Sequence, residues 1–479
     1  MNISTTILIV VTSAIVLGIG ALISFVVGRR HNSNEDWVVG GRDLPLYVVA
    51  FTQYATAVGG GVLVAHVGIS YAWGFSVFWY ELFVVVGLLI LAMFAGWLRK
   101  RKFSTIPEIF TRLYGSNKLL ISLVALAVIV VPMGWLATQF VAFGNLFSAV
   151  TGLNFNMLVV LMALISLLFV LPGGLTSVAW SDFFFGVFMV VASVIVAIYA
   201  INSAGGVGEM VSNLPDELVS LPEGFMAAGA TTILLWLFAI VPGTLTNQLY
   251  YQRIFAAKSG SEARRGIYIS AVMVFISGTY ALIIGLSVRS QVADFGVDGR
   301  EQAAGWLLDQ MPSWLLALYG AFLMATIVST TGSALQSIVV NLVEDLRKTF
   351  VKDVGSDNRK VMLSRVATVA VTILAAVLSI VYPQALNWLV ATYAYSASML
   401  VVPLLLGIIL NRRFEVPRAV AFMSMGGGVV ACAIAHIAGT VIPYAIFGVA
   451  LSLVVYVVAL LIFKPKTRSG NSVAEGASA

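Results

Sequence analysis

Thr326, Ser329, Thr330 and Ser333 recur at i, i+3, i+4 and i+7 within Thr326-Ile327-Val328-Ser329-Thr330-Thr331-Gly332-Ser333. On a helix that spacing makes one stripe of hydroxyls along one face. A small hard cation asks for several oxygens, and neutral hydroxyls with carbonyls freed from a helix can replace its water. The same spacing also serves helix packing, each hydroxyl bonding to the carbonyl one turn back. Free carbonyls are on offer at Gly59-Gly60-Gly61, since each glycine weakens a helix interior by roughly 1 kcal/mol. A break there releases the carbonyls of the preceding turn, including Ala55 and Val58. A second interruption is Val241-Pro242-Gly243. Either one alone equally serves close packing or a kink; the matched pair favours a binding site between them.

Only two carboxylates, Glu81 and Asp182, fall inside the apolar runs. A carboxylate in a membrane interior is costly unless paired, which makes a pathway role the default reading. Asp182 sits near the start of its run and also fits an interfacial residue, and Glu81 also fits a carboxyl tying two helices together. His66 is read two ways, as a proton relay or as a hydrogen-bonded structural residue. Cys432 is the single cysteine, which excludes an intrachain disulfide and a CxxC metal site. His31, His66 and His436 are scattered, and no HExxH, P-loop or GxGxxG motif stands in a strand–turn–helix context. The chain is not expected to be an enzyme.

The elements that must position these residues are membrane helices. Of 479 residues, 60% are hydrophobic and 10% charged, against about 25% charged in soluble domains. This excludes a water-soluble enzyme and a disordered chain. A span uses about 20 apolar residues, and charged loops delimit thirteen: 5–28, 46–70, 73–98, 118–151, 155–172, 179–202, 226–249, 266–289, 313–341, 362–382, 385–411, 418–439 and 441–463. The first lacks a cleavage site and reads as a retained helix. One alternate set of loops (29–43, 99–118, 250–265, 347–365, 412–418, 464–468) holds 25 of the 27 Lys and Arg. Basic loops stay cytoplasmic, so the expected N-terminus is outside and the C-terminus inside, in a multi-pass protein of the cell (inner) membrane. The net charge of +6 then reports topology and lipid headgroups, not nucleic acid. Residues 1–463 form one transmembrane domain, and 464–479 a short cytoplasmic tail with no signalling or catalytic domain and no obligate protein partner visible. The two interrupted spans lie five spans apart, which points to inverted repeats over 46–202 and 226–411.

Several motifs together resemble the sodium/solute symporter family, over about residues 35–415. They are Asn247-Gln248-Leu249-Tyr250-Tyr251-Gln252-Arg253 with Ala256-Ala257-Lys258 and Ser261-Glu262-Ala263, Gly173-Gly174-Leu175 with Trp180-Ser181-Asp182, and Ser329-Thr330 followed by Glu344-Asp345-Leu346. The resemblance implies an all-α LeuT-type fold, a 5+5 inverted repeat with one extra N-terminal helix (5–28) and two extra C-terminal helices (418–463). It implies a sodium site from the carbonyls of Ala55, Val58 and Thr326 and the hydroxyls of Ser329 and Thr330. Some members hold a second sodium through an Asp and serines. Asp182, Ser329 and Ser333 match those positions here, while Gly332 stands where a further hydroxyl is expected. An Asp of proline-type members is replaced by Ala57.

The substrate site is implied at midplane between the breaks, at Gly59, Gly60, Gly61, Val62, Glu81, Gly243, Asn247 and Gln302. Positions lined by polar groups in sugar-transporting relatives are Val62, Glu81, Ile240 and Gln302, two of them apolar here. Choline-type tryptophans are replaced by Ala57 and Asn247. The expectation is a compact, largely apolar pocket suited to an amino acid or another small zwitterion or carboxylate, brought in by sodium-coupled symport. The rivals are a proton-coupled symporter using Glu81, Asp182 or His66, a non-transporting solute sensor, and a channel.

Overall fold

A computed structural model describes residues 3–30, 33–350 and 356–467. His31, part of the 347–365 loop and the tail from Arg468 onward lie outside the described residues. The principal helices are α1 (Ile3–Arg30), α2 (Leu46–Ala57), α3 (Val67–Trp73), α4 (Val77–Lys100), α5 (Lys118–Thr151), α6 (Phe155–Val170), α7 (Gly174–Ser203), α8 (Ala230–Thr244), α9 (Gln248–Ala256), α10 (Gly260–Gln291), α11 (Ser313–Val340), α12 (Asp357–Val381), α13 (Ala385–Leu410), α14 (Arg418–Ile437) and α15 (Tyr444–Phe463). A two-residue strand pair joins Phe414–Glu415 to Lys466–Thr467.

Among the described residues eleven helical stretches are long and apolar enough to cross a membrane, where the sequence leads one to expect thirteen. The difference has physical causes. The 16-residue α6 is short for a span. The expected 46–70 span is cut into the 12-residue α2 and, beyond Gly60, a π-helical turn Gly61–His66 that runs into α3. Gly61–Lys100 is one continuous helical stretch that reverses only at Gly74, where φ is 50° and ψ −124°. The expected 118–151 span is one 34-residue helix, α5, about 50 Å long at 1.5 Å per residue, so it projects beyond or tilts within a core of about 30 Å.

The first break falls at Val58, whose φ of −96° and ψ of 91° leave the helical line. The glycines act by lacking a Cβ. A Cβ on Gly59 would lie 2.5 Å from Thr330 Oγ1 and 2.7 Å from Gln139 Oε1, and one on Gly60 would collide with the Ala142 methyl. The second break is displaced from Val241-Pro242-Gly243. Helix α8 runs through Pro242 to Thr244, and the turn is at Leu245–Asn247. Gly243 instead admits the Tyr393 ring against its backbone. The expected 250–265 loop begins only after Ala256, because α9 continues the interrupted span.

Two groups of helices meet along these breaks. α2, α3, α4, α8 and α10 pack on one another, as do α5, α6, α11 and α12, with α13 against both α5 and α8. α11 is far more buried than α7 although α7 is the more apolar, so the polar face of α11 is enclosed by neighbouring helices rather than turned to the outside.

Candidate functional site

The hydroxyl stripe of α11 lies against the end of α2. Ser329 Oγ is 3.0 Å from the Ala55 carbonyl and 2.9 Å from that of Thr326. Thr330 Oγ1 is 3.1 Å from Ala55 O, 3.2 Å from Thr56 O and 3.2 Å from Thr326 O. The hydroxyls therefore bond one turn back and across to the broken helix at once. Thr326, Ser329, Thr330 and Ala55 are all buried, and Val58 turns out of the helix beside them. Ala55, Thr326, Ser329 and Thr330 thus meet in one place, with oxygens from two helix groups in a buried interior, and Val58 follows at the end of α2.

Asp182 and Ser333 stand in a second polar cluster with an unexpected centre. Asp182 Oδ2 accepts from Thr52 Oγ1 (2.8 Å), Ser333 Oγ (3.1 Å) and Arg253 Nη2 (3.4 Å). Arg253 also donates to Thr56 Oγ1 (2.8 Å) and to Ser333 Oγ. Both side chains of this ion pair are 1% exposed. Asp182 is nine residues into α7 and fully buried. Arg253, counted among cytoplasmic loop charges from the sequence, is a buried residue of α9. Gly332 faces only Val178 and Val170 side chains. The signal for Arg253 was Asp182 itself, a buried acid in search of a cation.

Between the breaks lies a cavity of about 20 Å³ lined by Ala57, Gly59, Gly61, Val62, His66, Tyr80, Glu81, Trp135, Gln139, Tyr250, Leu389 and Tyr393, among others. That is room for roughly one water, so a solute must part its walls. Glu81 is 1% exposed; Oε1 contacts His66 Nδ1 at 2.5 Å, and the carboxyl stem packs against Gly278, where a Cβ would collide with it. Gln139 accepts the Gly60 N–H at 2.6 Å, closing one orphan donor of the break. Glu81 Oε2 and the Tyr80 hydroxyl are buried with no hydrogen-bond partner, whereas the Tyr393 hydroxyl interacts with Tyr250, Asn247, Trp135 and Thr244.

Of the expected substrate residues, Gly59, Gly61, Val62 and Glu81 line this cavity. Gly60 sits behind it against Ala142, Gly243 lies under Tyr393, and Asn247 caps α9 through Leu249 N (3.1 Å). Gln302 is elsewhere: its turn, Arg300–Gln302, lines an outer cavity of about 800 Å³ with Asp298, Glu301 and Asn387. The pocket is also more aromatic than expected, because Tyr80, Trp135, Tyr250 and Tyr393 converge from four helices remote in sequence. No sequence period relates them.

The model of the sodium:solute symporter family matches residues 37–428. The chain belongs to that family. Among curated members, this symporter-family chain is 27% identical over 379 residues to the high-affinity proline transporter PutP of Bacillus subtilis (strain 168), covering 75% of this chain and 78% of that one. It is 25% identical over 397 residues to the sodium/glucose cotransporter of Vibrio parahaemolyticus, covering 76% and 73%. Among solved structures, a Na+-coupled sialic acid symporter in a substrate-bound, outward-open state superposes with TM-score 0.80 at 18% identity, over 96% of this chain and 99% of that one. A nucleobase-cation-symport-1 family transporter superposes with TM-score 0.57 at 14% identity, over 90% and 94%. The fold of this family member is the LeuT type, all-helical. Its relatives are transporters and symporters, not enzymes, and its ground is the membrane.

Proposed function

We propose that the protein imports a small ammonium-bearing zwitterion, an amino acid or a close analogue, together with one sodium ion by alternating access. The observation that carries this reading is the ring of buried polar groups at the breaks, one carboxyl facing several hydroxyls and an indole N–H. Glu81 Oε2 and the Tyr80 hydroxyl have no partner, while Trp135, Tyr250 and Tyr393 form a set of donors that a carboxylate can share. A buried polar group left unpaired costs about 1–3 kcal/mol, so a ligand that supplies a donor to Glu81 Oε2 and an acceptor to Tyr80 gains at both. Aromatic faces add cation–π attraction.

Sodium is assigned to Ala55, Val58 and Thr326 carbonyls with Ser329 and Thr330 hydroxyls, tying α2 to α11 and so one helix group to the other. Asp182 and Ser333 hold no second sodium in this reading, because the Arg253 guanidinium supplies the positive charge there, on Asp182 Oδ2 and Ser333 Oγ. The chain is read as thirteen spans, with α6 and the split α2–α3 as the short ones and 46–202 and 226–411 as inverted repeats. Basic loops face the cytoplasm, which puts the N-terminus outside. The cytoplasmic side is held shut by Leu44 N to Ala256 O (3.0 Å), Lys258 N to Leu44 O (3.0 Å) and Arg42 bonded to Phe103 O (2.9 Å). The 800 Å³ cavity around Gln302 opens on the other side as an entry vestibule.

Purified protein screened by thermal shift against amino acids, glycine betaine, choline and sugars, with and without sodium, tests the reading. A zwitterion is expected to raise the melting temperature more when sodium is present. Stabilisation by a sugar alone, or equally in potassium, would overturn it. Sodium titrations are expected to fit one site, with a Hill coefficient near 1; a coefficient near 2 would restore the second ion.

Gly59→Ala tests the packing of the sodium site. The added methyl must displace Thr330 Oγ1 or Gln139 Oε1, an overpacking cost of about 1–3 kcal/mol. Half-maximal stabilisation is expected to require roughly tenfold or more additional sodium. Gly426→Ala, with nothing within 4 Å, is the control expected to leave it unchanged.

A further inference from the structure

We propose that a hollow between α1, the α6–α7 link and α12 is a binding site for the phosphodiester headgroup of an anionic phospholipid. The hollow has a volume of about 510 Å³ and is lined by Phe25, Gly28, Arg29, Leu171, Pro172 and Arg365. Sites for small ligands commonly measure about 300–1,000 Å³. It shares no lining residue with the central cavity or the outer one.

The lining holds two guanidinium groups in place. Gly28 seats α1 on the start of α7: a Cβ there would lie 2.8 Å from Ser177 Oγ and 3.3 Å from Gly173 N. Arg29, the next residue, lays its guanidinium 4.3 Å from the centre of the Phe25 ring. Arg365, two turns into α12, donates through Nε to the Leu171 carbonyl at 3.0 Å, and its Nη2 lies 3.5 Å from Pro172 O. Those acceptors are neutral, so they aim the guanidinium without cancelling its charge. No carboxylate stands among the six lining residues, and Arg365 enters none of the ion pairs among the described residues.

The surface beyond the hollow points to a lipid. Residues three, four and seven apart share one face of a helix. Phe25 and Leu22 stand four and seven residues before Arg29, Leu168 and Leu164 three and seven before Leu171, and Val369 four after Arg365. All five are exposed, and each lies toward the middle of its own helix. An open apolar strip therefore runs from the two arginines toward the depth of the membrane. A water-soluble anion would use the arginines alone, whereas acyl chains also cover the strip. Guanidinium groups bind a phosphodiester through charge-assisted hydrogen bonds, and with no carboxylate in the lining they repel the ammonium of a choline or ethanolamine headgroup. The ligand is a phospholipid of net negative charge such as phosphatidylglycerol, its phosphate held between Arg29 and Arg365.

The test is phosphatidylglycerol binding to the delipidated full chain in a neutral detergent, read by thermal shift and by native mass spectrometry. Phosphatidylcholine with the same acyl chains is the comparison. Phosphatidylglycerol is expected to bind roughly tenfold or more tightly than it. Arg29→Gln/Arg365→Gln is expected to weaken phosphatidylglycerol binding by about fivefold per arginine removed. Arg412→Gln/Arg413→Gln removes the same charge from another loop and is expected to leave the affinity unchanged. Should the first variant fail to fold, Arg29→Gln alone, which keeps the bond from Arg365 to Leu171, must weaken binding by about fivefold. Equal affinity for the two lipids, equal loss in the two double variants, or no loss in Arg29→Gln overturns the inference. Glycerol phosphate, which lacks acyl chains, is expected to give no stabilisation at the same concentration. Stabilisation equal to that by the lipid would assign the hollow to a soluble phosphate and overturn it as well.

Discussion

Alanine at both Ser329 and Thr330 is expected to abolish sodium-stimulated uptake while the protein still folds. The two hydroxyls are two of the five oxygens assigned to the ion, and both bridge to Ala55 O on the other helix group. An interaction with a charged partner contributes about 1.5–3 kcal/mol. Losing two lowers sodium affinity by roughly a hundredfold to ten-thousandfold. The neutral hydroxyls leave behind no buried charge, and small residues in a tight helix contact are tolerated, so the fold should survive. Radioactive sodium binding and uptake in proteoliposomes check this. Sodium dependence equal to that of the unmodified chain would refute the assignment.

Arg253→Met is expected to be the most damaging single substitution for stability. It leaves Asp182 fully buried with only Thr52 and Ser333 as partners, and breaking a buried pair from one side costs about 3–5 kcal/mol. Removing both charges in Arg253→Met/Asp182→Leu is expected to recover most of that loss, because an apolar pair of similar volume needs no desolvation. The single variant exposes the oxygens of Asp182, Thr52 and Ser333 to a mobile cation, so high sodium should partly restore its melting temperature and should not do so for the double variant. Thermal unfolding across sodium concentrations separates these outcomes. A single variant as stable as the parent would show that the guanidinium is not the counter-charge.

What the sequence made legible follows from period and cost. The α11 stripe could be read because a helix repeats every 3.6 residues, and Ala55 followed from the glycines that end its helix. The location of the second break was misread by a few residues. Pro242 breaks one hydrogen bond but leaves a helix running, and the turn sits where Asn247 can cap the next one. Arg253 was hidden because charge reads as loop unless a buried partner is known. Tyr80, Trp135, Tyr250 and Tyr393 could not be grouped at all, since only tertiary packing brings α4, α5, α9 and α13 to one cavity. Gln302 was assigned to the centre by resemblance, yet its short turn belongs to the vestibule.

A high-resolution density map of the protein in sodium, compared with one in a bulky organic cation, tests the central claim most directly. The account predicts one sodium-dependent peak bounded by Ala55 O, Val58 O, Thr326 O, Ser329 Oγ and Thr330 Oγ1, with Arg253 still bonded to Asp182. A peak beside Asp182 with the guanidinium displaced, and none at Ser329, would contradict it.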